Sequence, residues 1–126
     1  MTELRSLYYC KHCKNLVEVV STGQEALVCC GEAMIKLKAN TTDAANEKHV
    51  PVIEETSTGI KVTVGSVEHP MTEEHYIVFI EILTENEVIR KELKPGMKPQ
   101  AEFTVKRDDV LEVREFCNLH MLWSAK

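Results

Sequence analysis

His75-Tyr76-Ile77-Val78-Phe79-Ile80-Glu81-Ile82-Leu83 is the stretch that decides the fold. Apolar residues dominate both of its alternating sets, as in a central strand buried on two sides. Upstream, Ile60-Lys61-Val62-Thr63-Val64 alternates cleanly, the pattern of a half-buried strand. Glu87 to Leu93, Ala101 to Val105 and Val110 to Phe116 are further candidates, and His49 begins an earlier strand. Thr58-Gly59, Glu85-Asn86 and Lys94-Pro95-Gly96 punctuate them as turns. No long helix emerges. The pattern predicts a mainly β protein whose larger part is a β-sandwich.

Composition sets the outer limits. The chain has 126 residues, 44% hydrophobic and 28% charged, which is globular rather than disordered. No apolar run approaches the roughly 20 residues that cross a bilayer. Met1 to Tyr9 lacks the apolar core of a signal peptide, so the expectation is a cytoplasmic protein with no membrane partner. A net charge of −5 argues against nucleic acid, whose phosphates call for a basic field.

The cysteines divide the chain. Four of five lie within the first 30 residues: Cys10, Cys13, Cys29 and Cys30. In a cytosolic chain such residues are more often metal ligands than disulfides, and the odd total agrees. Residues 1–37 carry few large apolar side chains, and segments this short rarely fold without a metal, a disulfide or a partner. Cys10-Lys11-His12-Cys13 can curl round one ion, and Cys29-Cys30 completes a set of four suited to zinc or iron. The adjacent pair is unusual for a structural zinc site and should distort the tetrahedron. His12 is read as a solvated loop residue. Residues 38–46, small and polar, read as a linker.

The remaining histidines are His49, His69, His75 and His120, and the remaining cysteine is Cys117. Cys117-Asn118-Leu119-His120 holds a thiolate and an imidazole at a chelating spacing. Each of the histidines sits at the edge of a predicted strand, and a sandwich gathers such edges at one end. Four imidazoles in a plane with one axial thiolate suit iron or copper. They leave the sixth octahedral position open to a small substrate. An axial thiolate pushes electron density onto the metal.

At these residues the chain resembles the desulfoferrodoxins. Residues 1–37 are similar to the desulforedoxin-like domain, through the C-x-x-C and vicinal C-C pattern. Glu47-Lys48-His49-Val50-Pro51, His69-Pro70-Met71, His75-Tyr76 and Cys117-Asn118-x-His120 look like the motifs of the superoxide reductase domain. The resemblance covers the whole chain. It implies two domains: a desulforedoxin-like metal knot over 1–37 and an immunoglobulin-like sandwich over 38–126. It also implies two iron ions per chain. One would be held by Cys10, Cys13, Cys29 and Cys30; the other by His49, His69, His75 and His120 with Cys117 axial. The implied activity is one-electron reduction of superoxide to hydrogen peroxide, a detoxifying step fed by a rubredoxin-like donor in a homodimer. Lys48 would attract superoxide and manage its protons, and Glu47 matches the family glutamate that occupies the sixth position in the ferric resting state. Without the resemblance, Lys48 and Glu47 read equally as a solvated lysine and a surface carboxylate. Trp123 either flanks the site or packs in the core, and Pro70 fixes the loop between His69 and His75. Two other readings stand beside the reductase: a zinc knot on a non-catalytic sandwich, and a pure electron carrier.

Overall fold

The computed structural model describes residues 1–43 and 49–126 and divides into two compact units, Met1–Lys38 and Ala39–Lys126. Among the described residues regular structure is strand, apart from one 3-10 turn at Arg107–Asp109. Among the described residues no helix is long and apolar enough to cross a membrane.

The first unit is built from short strands. β1 (Leu7–Tyr9) pairs antiparallel with β2 (Leu16–Glu18) on one side and, beyond β3 (Val28–Cys29) and β4 (Glu32–Ala33), with β5 (Ile35–Lys36) on the other. β3 and β4 form a separate hairpin. The buried apolar set is small: Leu7, Tyr8, Tyr9, Cys10 and Val19. Val17, Val20, Val28 and Ile35 remain exposed.

Among the described residues the second unit is a sandwich of seven strands. β6 (Pro51–Glu55), β7 (Ile60–Val64) and β10 (Gln100–Phe103) form one sheet in the order β10-β7-β6. β8 (Ile77–Leu83), β9 (Val88–Glu92), β11 (Glu112–Cys117) and β12 (Met121–Ala125) form the other, in the order β12-β11-β8-β9. Every strand pairing is antiparallel. Ile60, Val62 and Val64 of β7 meet Ile77, Ile80, Ile82, Val113 and Cys117 of the facing sheet in the core. Gly59 lets the β6–β7 turn close over β10, because a Cβ there would stand 2.0 Å from the Phe103 carbonyl oxygen.

Two details depart from simple alternation. Phe116 pairs with Phe79 but Cys117 pairs with Ile77, so Val78 is an extra residue, a β-bulge. The slip keeps Ile77 and Cys117 both on the core side. The outer face carries Phe79, Glu81, Arg114 and Phe116, and there the buried Glu81 carboxylate accepts from Arg114 Nε at 2.7 Å and Arg90 Nε at 2.9 Å. The second detail concerns the expected linker. Asn40 bridges to Trp123, its N–H donating to the Leu122 carbonyl and its carbonyl accepting from Ser124. The beginning of the stretch 38–46 therefore extends the sandwich.

Candidate metal centres

The first centre draws on two turns of the small unit. Lys14 adopts a φ of +70° and its N–H donates to the Cys10 carbonyl at 2.8 Å, closing a knuckle round Cys10 and Cys13. The Cys13 N–H points at Cys10 Sγ, 3.5 Å away. On the other turn Cys30 takes a φ of +53° and Gly31 one of +74°. This left-handed pair of residues is the answer to the adjacent cysteines, since it swings both side chains toward the same point. The sulfurs of Cys13 and Cys29 stand 3.4 Å apart, and those of Cys29 and Cys30 3.9 Å. A tetrahedron with metal–sulfur bonds near 2.3 Å has S···S edges of about 3.8 Å, so the set fits one ion. All four sulfurs lie within 4.8 Å of one another.

Proton affinities within this set diverge. The Cys13 N–H hydrogen bond lowers Cys10 to about 6. Side-chain hydrogen bonds from Cys13 and Cys10 raise Cys29 to about 12, since a thiol shared with a neighbouring thiolate holds its proton. His12 is exposed, as expected of a loop residue, but its Nε2 lies 2.7 Å from a carboxylate oxygen of Glu32. That hydrogen bond holds the Glu32 carboxyl below its usual range.

The second centre lies at one end of the sandwich, where four segments converge. β6 starts opposite the end of β7, and β8 starts opposite the end of β11. His49 lies just before β6, His69 and His75 lie in the β7–β8 connection, Cys117 ends β11, and His120 occupies the β11–β12 turn. The ring centroids run round a near-square: 4.6 Å from His49 to His69, 4.7 Å to His75, 5.0 Å to His120 and 4.8 Å back to His49. The His49–His75 diagonal is 6.4 Å, and neighbouring rings stand at 68–82° to one another. Nε2 of His49 and Nε2 of His69 face each other at 2.9 Å. Two imidazoles sharing one ion at bonds of 2.0–2.1 Å and a right angle sit about 2.9 Å apart, so the pair is spaced for a metal.

His49, His69, His75 and Cys117 have donor atoms within 4.8 Å of one another. His120 stands outside that tight group but closes the square, and its Nδ1 is 3.8 Å from Cys117 Sγ. The sulfur thus lies within reach of all four rings. His49, His69 and Cys117 are buried at 1%, 4% and 0% exposure, the dry setting in which a thiolate and imidazoles hold a cation well.

Surrounding groups fix these donors. The Pro70 carbonyl takes a hydrogen bond from His69 Nδ1 at 2.7 Å, which leaves Nε2 as the donor nitrogen. Trp123 stacks on His49 at 4.7 Å and 16°, and its Nε1–H donates to the His120 carbonyl at 2.9 Å. It is both buried and part of the site. One support escaped the sequence reading, and so did one buried carboxyl close by in the chain. Asp43 Oδ1 accepts from the backbone N–H groups of His49 and Val50. Its signal was residue type alone, since an Asp side chain readily accepts from backbone N–H groups. Glu115 is fully buried on the core side of β11, paired with Trp123, and its carboxyl oxygens have no hydrogen-bond partner among the described residues. Burial, with the Asp43 charge adding, raises its pKa well above the usual carboxyl range. Glu47 and Lys48 lie outside the described residues.

A desulfoferrodoxin profile matches residues 41–126, and a desulfoferrodoxin N-terminal domain profile matches residues 2–37. The chain belongs to the desulfoferrodoxin family. The desulfoferrodoxin of Nitratidesulfovibrio vulgaris is 54% identical over 120 residues, covering 95% of this chain and 94% of that one. A superoxide reductase of Pyrococcus abyssi is 33% identical over 108 residues, covering 71% of this chain and 94% of its own. The crystal structure of the superoxide reductase from Treponema pallidum superposes with a TM-score of 0.78 at 36% identity, covering 96% of this chain and 97% of that one. As a desulfoferrodoxin the chain combines a desulforedoxin-like knot with a sandwich, and its two donor clusters match two iron centres.

Proposed function

We propose that this chain is a superoxide reductase whose reaction occurs at the sandwich centre. The observation that carries the reading is the near-square of four imidazoles with the Cys117 sulfur beside it. Imidazoles and a thiolate together form a donor set that would hold iron and let it exchange an electron with a small anion. A ferrous ion held there would supply one electron, so that superoxide and two protons yield hydrogen peroxide.

The chain's own residues do the rest. His49, His69, His75, His120 and Cys117 would hold the ion. The Pro70 carbonyl and the Trp123 ring keep His69 and His49 oriented. Burial of Cys117 excludes water from the sulfur and keeps its charge directed at the ion. Lys48, one residue before His49 in the sequence, would supply a cation that attracts the anion and favours developing peroxide charge. That local field offsets the net charge of −5. Glu47 would offer its carboxylate to the oxidised ion. Cys10, Cys13, Cys29 and Cys30 hold the second iron. A rubredoxin-like donor returns the electron, and the protein works as a cytoplasmic homodimer.

The test is stoichiometric. Reduced, iron-loaded protein receives a known superoxide pulse without air, and peroxide and oxygen are counted. One peroxide per superoxide, no oxygen, and matching oxidation of the sandwich iron are expected. Half a peroxide with oxygen means dismutation, and no reaction beyond the protein-free control returns the carrier or zinc-module reading. Lys48→Ile should slow the reaction of the ferrous protein with superoxide, and an unchanged rate removes the lysine from the mechanism.

A further inference from the structure

The ladder between β8 and β11 ends at the Ile77–Cys117 pair, directly after the bulge. Beyond it, one side chain takes over. The Asn118 N–H donates to the Tyr76 carbonyl at 3.2 Å, the Tyr76 N–H donates to Asn118 Oδ1 at 2.9 Å, and Asn118 Nδ2 donates to the Glu74 carbonyl at 3.0 Å. These three bonds bracket His75 in sequence, and they leave from the residue next to Cys117. An asparagine amide carries the same donor and acceptor as a peptide group, so it continues the ladder where the backbones part. Aspartate would keep the acceptor and set a carboxylate oxygen against the Glu74 carbonyl. Alanine would remove both.

We propose that Asn118 is a positioning residue that sets the spacing between His75 and Cys117, two donors carried by different connections. The inference rests on the assignment of both as ligands of the sandwich iron. His75 follows a turn of its own, with His75 N–H and Thr72 N–H each donating to the other's carbonyl. That turn gives His75 a local shape but no fixed place relative to β11. Asn118 supplies the place. Supporting groups of this kind typically change metal affinity by about 10–100-fold.

The test uses the full chain, loaded with iron at both centres, as wild type, Asn118→Ala and Asn118→Asp. Each is challenged with a competing chelator while iron per chain and the thiolate-to-iron absorption band are followed. The four-cysteine centre serves as internal control. Asn118→Ala should weaken retention of the sandwich iron about 10–100-fold and shift its band, with the iron of the four-cysteine knot unchanged. Asn118→Asp, which keeps one of the two side-chain bonds, should fall between, and it carries the comparison if the alanine variant does not fold. Wild-type retention and band position in either folded variant overturns the proposal, whether or not its melting temperature falls. If instead the wild type itself holds iron only at the cysteines of the knot, the ligand assignment has failed and not the role of Asn118.

Discussion

Replacing Arg114 by methionine should destabilise the sandwich far more than its distance from the metal suggests. Glu81 is 0% exposed, and each of its oxygens is held by a guanidinium. Arg114 reaches one oxygen through Nε at 2.7 Å and a terminal nitrogen at 2.6 Å; Arg90 reaches the other through Nε and a terminal nitrogen, both at 2.9 Å. The two arginines are not equivalent. The Arg114 side chain is 8% exposed and that of Arg90 36%. Removing the buried partner leaves a carboxylate out of water with half its compensation, a loss of about 3–5 kcal/mol. For a unit of this size each kcal/mol lowers Tm by about 4–8 °C, so a fall of at least ~12 °C is expected. Arg90→Met, at the wet end, should cost about 1 kcal/mol. Combining Glu81→Leu with Arg114→Met should recover most of the loss, because the stranded charge is gone. Urea unfolding followed by fluorescence of Trp123, the chain's one tryptophan, reads the sandwich directly at matched metal content. A loss under about 1 kcal/mol for Arg114→Met, or a double variant no more stable than the single one, refutes the reasoning.

Two pH dependences follow from the sites. Before metal binds, Cys10 loses its proton near 6 but Cys29 keeps its own to about 12. Zinc binding to the knot should therefore release protons between about pH 7 and 9 and tighten as pH rises, by up to about tenfold per unit for each proton displaced; calorimetry in buffers of different ionisation enthalpy would show it, and a pH-independent affinity would contradict it. Glu115 holds a proton in the folded protein above pH 4.5, where an ordinary carboxyl ionises. Folding therefore takes up a proton there, and wild-type stability falls as pH rises until the folded pKa is passed. Glu115→Gln removes that term, so its stability relative to wild type should climb with pH by up to about 1.4 kcal/mol per unit; a difference that stays flat from about pH 5 to 8 would refute the assignment.

Strand content was legible because alternation and turn residues are local signals. Ile60–Val64 matches β7 at both ends, and the reading from Val110 to Phe116 overlaps β11 over most of its length. Two misses have physical causes. β12 begins at Met121 with a φ of +68°, directly after the Cys117–His120 turn, and no glycine or proline announces it. The polar residues after Lys38 read as a linker, yet Asn40 pairs with β12, since a bridge of backbone groups needs no apolar side chain. The bulge at Val78 was likewise invisible, because the apolar run from Ile77 to Ile80 reads the same with or without a slip. The histidines and cysteines that the structure brings together could be singled out from type and spacing. Their square could not, because its sides join three connections whose relative placement only the sheet registers determine.

The two centres solve different problems with the same metal chemistry. All five donors of the sandwich centre come from residues of that unit, and a twelve-residue apolar cluster lies beneath them. The sandwich folds round its own core, and the metal finds loops already held by registers, by Trp123 and by Asn118. The knot has only five buried apolar residues and leaves Cys13 and Cys30 exposed. There the ion must contribute to folding itself, as in other small metal-tied domains. The contrast in burial also separates their electronic settings. Cys117, at 0% exposure, faces imidazoles in a dry site, whereas exposed thiolates of the knot are solvated and their charge is damped by water. A small anion would therefore be better served at the sandwich centre, where the charge of Cys117 would be shielded from water.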